Sequence, residues 1–163
     1  MSNIIIITGL SGAGISSALK SLEDLGYEVF DNFPLEFIDG LIEKDPKKPI
    51  AIGIDSRTRN FSPAEILEKA KSINAKLTYI NCDDAVLQKR FTETRRKHPL
   101  AKDRAVKDGI LKERELLKSL QANADLMIDT TDLSIHDLRR NLEGHFALSD
   151  TSRFTVTLMS FGF

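Results

Sequence analysis

Two rhythms of apolar and polar residues take turns along this chain, and their order predicts an α/β fold. Asn3–Thr8 is a short β-branched run closed by Gly9, the pattern of a strand buried on both faces. Helical spacing follows, with Ala18, Leu22 and Leu25 on one stripe and Gly26 as a C-terminal stop. Tyr27–Phe30 and Ile50–Ile54 read as the next two strands. Ser62-Pro63-Ala64-Glu65 is a capping box with proline at the first helical position, and its helix turns Ile66, Leu67, Ala70 and Ile73 towards the sheet. Leu77–Cys82 predicts a fourth strand, and Asp84 the N-cap of a helix that must stop before Pro99. A helix over 105–121, a strand at Leu126–Ile128 and a helix capped by Ser134 and Asp137 complete the alternation. Strands alternating with helices imply right-handed crossovers, hence a three-layer α/β domain with a mainly parallel five-stranded sheet. Arg153–Phe161 reads as one more β-run at the end. The expected division is therefore a domain over 1–150, with 151–163 a linker and the first strand of a C-terminal domain otherwise absent.

Composition changes this picture little. A chain of 163 residues, 41% hydrophobic and 29% charged, suits one ordinary globular domain. Its single cysteine, Cys82, excludes an intramolecular disulfide framework and fits a reducing compartment. No apolar run approaches the roughly 18 residues of a membrane helix. Ile4–Ile7 is too short for a signal-peptide core, so a cytoplasmic location without a membrane partner is expected. Charge is unevenly placed: the net charge is −1, yet residues 86–118 hold 11 Lys or Arg against 5 Asp or Glu.

Chemistry concentrates at Gly9-Leu10-Ser11-Gly12-Ala13-Gly14-Ile15-Ser16, between a buried strand and an amphipathic helix. That is the setting of the phosphate loop G-x-x-x-x-G-K-[ST]. Its glycines let successive N–H groups face an anion, and the helix N-terminus adds its field. Ser16 stands where such loops ligate Mg²⁺. Ile15 stands where they carry lysine. A charge-assisted hydrogen bond contributes roughly 1.5–3 kcal/mol, so its loss predicts triphosphate affinity lower by about ten- to a hundredfold. Catalysis should suffer more, because that lysine also stabilises the transition state.

The loop is followed by Ala18-Leu19-Lys20-Ser21-Leu22-Glu23-Asp24-Leu25-Gly26-Tyr27 and Asp31-Asn32-Phe33-Pro34. Further on come Ile54-Asp55-Ser56-Arg57, Thr94-Arg95-Arg96-Lys97-His98-Pro99-Leu100, Ala124-Asp125-Leu126-Met127-Ile128-Asp129-Thr130 and Ser160-Phe161-Gly162-Phe163. This ordered set resembles the RapZ family of bacterial RNase adapter and P-loop nucleotide-binding proteins. The resemblance implies a P-loop NTPase or nucleoside-kinase-like fold with ATPase and GTPase activity, ATP falling on Gly9–Ser16 and GTP on Asp55-Ser56-Arg57-Thr58. It also implies a C-terminal domain associated with RNA, so RNA and an RNase would be partners of the full-length family protein. Ile15 departs from the family loop and implies weakened hydrolysis.

Asp55 ends a predicted strand on the edge where open α/β sheets bind ligands, and is assigned to Mg²⁺ or the attacking water. A capping aspartate is its bland alternative. Arg95 and Arg96, at a helix end before Pro99, are assigned to a basic lid over the phosphates, with Arg114 able to join them. Cations at a helix C-terminus also simply compensate its dipole. The expected function is an ATP- or GTP-binding regulatory protein. A small-molecule kinase, or a non-catalytic interaction domain with a decayed loop, are the rivals. The oligomeric state stays open, a homo-oligomer included.

Overall fold

The computed structural model describes residues 3–42 and 49–148. β1 (Ile4–Gly9), β2 (Glu28–Phe30), β3 (Ile50–Gly53), β4 (Lys76–Asn81) and β5 (Leu126–Asp129) form one parallel sheet in the order β2-β3-β1-β4-β5. The predicted five-stranded parallel sheet is thus present. β1 lies at its centre, with Ile5 opposite Ala51 on one side and Lys76 on the other. Ile5, Ile6 and Ile7 are buried on both faces, as a continuous apolar run requires.

The helices are α1 (Ile15–Asp24), α2 (Ile38–Ile42, entered through a 3-10 turn at Leu35–Phe37), α3 (Pro63–Ser72), α4 (Asp84–Thr94), α5 (Val106–Leu116), α6 (Lys118–Ala122) and α7 (Ile135–Phe146). α1 and α7 pack together on one face, where Leu19 presses on Gly53 and Tyr27 Oη donates to the Phe146 carbonyl at 2.9 Å. Right-handed crossovers from β3 to β4 and from β4 to β5 put the connecting helices on the other face. There α3 meets α6, and α4 meets α5.

Three local expectations change. The helix predicted over 105–121 breaks at Leu117 into α5 and α6. Asp83, not Asp84, occupies the N-cap of α4, in extended backbone and with no side-chain capping bond, while the Asp84 carboxylate meets Arg114 from α5. At Ser62 only the forward bond forms, from the Glu65 N–H, whereas Ser134 and Asp137 make the full reciprocal box. The segment 151–163, with its predicted β-run, lies outside the described residues. No helix among the described residues is long and apolar enough to cross a membrane.

Candidate active site

β1 must turn abruptly to feed α1, and glycine makes that turn. At Gly9, φ is +148° and a Cβ would lie 2.2 Å from the Ile80 carbonyl oxygen, so any side chain would collide with β4. Gly12 and Gly14 also have positive φ, 85° and 120°, and Gly14 is the N-cap of α1. The Ala13 N–H returns to the Leu10 carbonyl at 3.0 Å, closing the bend. Among the described residues, no hydrogen bond engages the N–H groups of Gly12, Gly14, Ile15 or Ser16. These donors stand at the positive end of α1, the place where an anion gains most from them.

A clamp absent from the sequence reasoning holds the loop from behind. Arg90, on α4, donates from Nη1 to the carbonyls of Gly12 at 3.0 Å and Ala13 at 3.3 Å, and from Nη2 to the Thr130 carbonyl at 3.0 Å. Thr130 Oγ1 also donates to the Ala13 carbonyl. In a trans peptide the C=O and the following N–H point opposite ways. Drawing the Ala13 carbonyl outward therefore turns the Gly14 N–H inward.

Asp55 follows β3 and is buried. Its Oδ1 accepts from Arg57 N at 2.8 Å and Nε at 3.0 Å, and its Oδ2 from Nη2 at 2.8 Å. This fork raises the Arg57 pKa above its ordinary value, chiefly through the Asp55 hydrogen bond, so the guanidinium stays charged. Oδ2 keeps a lone pair for a water. Thr58 is buried in the same turn, donating to Asn32 Oδ1 at 2.8 Å. Ser16 Oγ reaches a second carboxylate, Asp31, at 3.3 Å.

The loop faces a cleft of about 270 Å³ lined by Ser11, Gly12, Gly14, Ile15, Ser16, Asp55, Arg57, Arg96 and Lys97. Most of the predicted site is thereby brought together. Leu10 and Ala13 lie beneath it, fully buried, with the Leu10 N–H given to the Ile80 carbonyl and the Ala13 carbonyl to Arg90 and Thr130. Arg95 terminates α4 in the left-handed conformation, φ 55°, and does not line the cleft, whereas its neighbours Arg96 and Lys97 do. Arg114 is held elsewhere, by Asp84, by Asn81 Oδ1 at 3.1 Å and by the Cys82 carbonyl at 2.6 Å. Ser56 points its hydroxyl to Glu113 at 2.6 Å.

Glu113, on α5, is fully buried, and the sequence reading did not single it out. A signal existed: it falls on the apolar stripe of Ile110, Leu117 and Leu120, where a charge must be satisfied internally. Burial pushes its pKa up, but hydrogen bonds from His98, Ser56 and Ser11 outweigh that and hold it below the usual carboxylate value.

The donor set suits a polyphosphate with Mg²⁺. Mg²⁺ keeps several waters and takes one or two protein oxygens plus phosphates, so a dedicated cage is not needed. Among the described residues no cluster of three or more metal-ligating side chains exists, and Ser16 with Asp31 and Asp55 at the loop mouth supplies oxygen donors only.

The chain matches the RapZ-like N-terminal domain family over residues 2–150. It is 47% identical over 166 residues to a nucleotide-binding protein of Rhodospirillum centenum, covering 98% of this chain and 50% of that protein. It is 42% identical over 173 residues to a nucleotide-binding protein of Sphingopyxis alaskensis, covering 99% and 55%. The chain thus spans about half the length of these relatives. Among solved structures, shikimate kinase from Bacteroides thetaiotaomicron superposes with a TM-score of 0.66 at 15% identity, over 89% of this chain and 98% of that one. A gluconokinase from Sinorhizobium meliloti gives 0.56 at 16% identity, over 99% and 97%. Both likenesses concern the fold alone.

Proposed function

Because the chain belongs to the RapZ-like N-terminal domain family, we propose that it binds the triphosphate of ATP or GTP, with Mg²⁺, in the cleft above Gly9–Ser16. One observation carries the reading: the N–H groups of Gly12, Gly14, Ile15 and Ser16 have no acceptor among the described residues and open onto a cleft walled by cations. Arg57, Arg96 and Lys97 supply charge that the missing lysine would otherwise bring. The cleft volume is near the lower end for small-molecule pockets, which suits the polyphosphate, with sugar and base extending outward.

Ser16 and Asp31 would hold the metal directly or through water, and Asp55 would reach it through water while orienting Arg57. Mg²⁺, when bound, would neutralise charge on the phosphate oxygens. Arg96 and Lys97 would close over the phosphates, and Arg95 would set their direction through its left-handed turn. Hydrolysis is expected to be slow, because Ile15 offers no cation at the leaving and transferred groups. A regulatory role, as in RNase adapters, fits a domain that binds nucleotide better than it turns it over. RNA binding would then belong to a longer protein.

Titration calorimetry with ATP and GTP, with and without Mg²⁺, tests this reading. Saturable binding in the micromolar to millimolar range is expected, tightening roughly tenfold or more in Ile15→Lys. No saturation at millimolar nucleotide would leave a non-catalytic interaction domain.

A further inference from the structure

We infer that Glu113 is a positioning residue of the phosphate cleft, its buried carboxylate tying the loop at Ser11, the β3 loop at Ser56 and the basic turn at His98 into one frame. Each wall meets it by a different bond. Oε1 accepts from the Ser11 N–H at 2.8 Å and faces His98 Nε2 at 3.2 Å, while Oε2 accepts from Ser11 Oγ at 2.7 Å and Ser56 Oγ at 2.6 Å. A carboxylate has about four lone-pair sites, and all four are taken. A buried charge is tolerated only when satisfied in this way.

The histidine can serve only as a donor here. The Leu100 N–H donates to His98 Nδ1 at 3.0 Å, so the ring proton sits on Nε2 and points at Glu113. His98 is itself fully buried, seated on Gly109, where a Cβ would lie 2.5 Å from Nδ1. On its other side it meets the Phe91 ring, centroids 5.1 Å apart, and that ring occupies the space beside Gly12, where a Cβ would lie 3.0 Å from it. Arg96 and Lys97 immediately precede His98. Fixing the histidine therefore fixes the origin of the two cations that face the loop. The frame pre-organises the cationic wall, which reduces the ordering cost when an anion binds. The inference rests on the triphosphate reading above.

The test uses the 163-residue chain with ATP and with inorganic triphosphate as probes. Glu113→Gln should stay folded by circular dichroism, bind either probe about tenfold more weakly, and show faster amide exchange over 95–101. The Ser11 amide should resonate far downfield in the parent and move upfield in this variant, a shift that a general loss of packing would not produce selectively. If Glu113→Gln does not fold, His98→Asn carries the test, since three donors to the carboxylate remain; a severalfold loss of affinity is expected. A folded variant that binds as tightly as the parent overturns the positioning role and leaves the nucleotide reading standing. A parent that binds neither probe, with its Ser11 amide still downfield, overturns the nucleotide reading and with it any role for Glu113 in binding.

Discussion

A carboxylate buried among hydroxyls makes stability depend on pH in a defined direction. Glu113 has a folded pKa below its ordinary 4.5, with burial opposed and outweighed by the bonds from His98, Ser56 and Ser11. Its stabilising contribution is therefore complete above about pH 4.5 and is lost as pH falls through the folded value. Glu113→Gln should lower stability at neutral pH by about 1–3 kcal/mol and flatten the acid limb of a plot of urea midpoint against pH. An acid limb as steep as the parent's would mean that other carboxylates govern it. Asp129 and Asp137, also lowered, are held by hydrogen bonds from Thr131 and Ser134, and being near the surface should contribute little. At this scale the sequence showed the loop because its residues are contiguous. Glu113 was hidden because its partners lie 102 and 57 positions away. Asp55 was visible as a strand-end carboxylate, but its capture by Arg57 two residues on was not.

Among elements, α4 meets the phosphate loop, as α5 does. Arg90 reaches the Gly12 and Ala13 carbonyls from α4, and Thr130 reaches Ala13 from the end of β5. Arg90→Met should release the Gly12 carbonyl and leave the Ala13 carbonyl on Thr130 alone, loosening the Gly14 N–H and weakening triphosphate binding by roughly tenfold at a stability cost of about 1–3 kcal/mol. Calorimetry and amide exchange at Gly14 measure both; unchanged exchange there would show that the glycine dihedrals alone hold the loop. A milder perturbation separates folding from binding. Ser134→Ala removes the α7 capping box, which does not line the cleft, and should cost about 1 kcal/mol with nucleotide affinity changed less than in Arg90→Met. The elements themselves were legible because each carries its own period and stop signal. Ile5 to Ile7, Gly26 and the Ser134 box all act locally. Asp84 misled because Asp83 beside it suits a cap equally well, and the local pattern does not choose between two adjacent aspartates. The break at Leu117 carries no glycine or proline to announce it.

For the whole molecule the net charge of −1 conceals a segregation that matters to an anion. Arg57, Arg96 and Lys97 converge on one cleft, where Asp55 is tied to Arg57 and Asp31 meets Ser16, leaving Arg96 and Lys97 as the cations without a carboxylate partner in the cleft among the described residues. Arg57 is partly exposed, its side chain retaining 43% of its accessible surface, so its attraction for phosphate is only partly shielded from salt. The Debye length falls from roughly 14 Å at 50 mM to about 6 Å at 300 mM salt. Triphosphate affinity should therefore drop severalfold across that range, and the double variant Arg96→Gln, Lys97→Gln should bind more weakly with a shallower salt slope. A slope unchanged in the double variant would place the phosphates away from the basic turn. RNA phosphates would feel the same cations, but the aromatic rings of this segment, Phe91 and the imidazole of His98, are buried against the loop and offer bases no stacking surface. Affinity for a bare triphosphate should then exceed that for a short single strand of RNA at equal salt, because a triphosphate concentrates several negative charges on one helix mouth whereas a phosphodiester carries one per nucleotide and finds no stacking platform here.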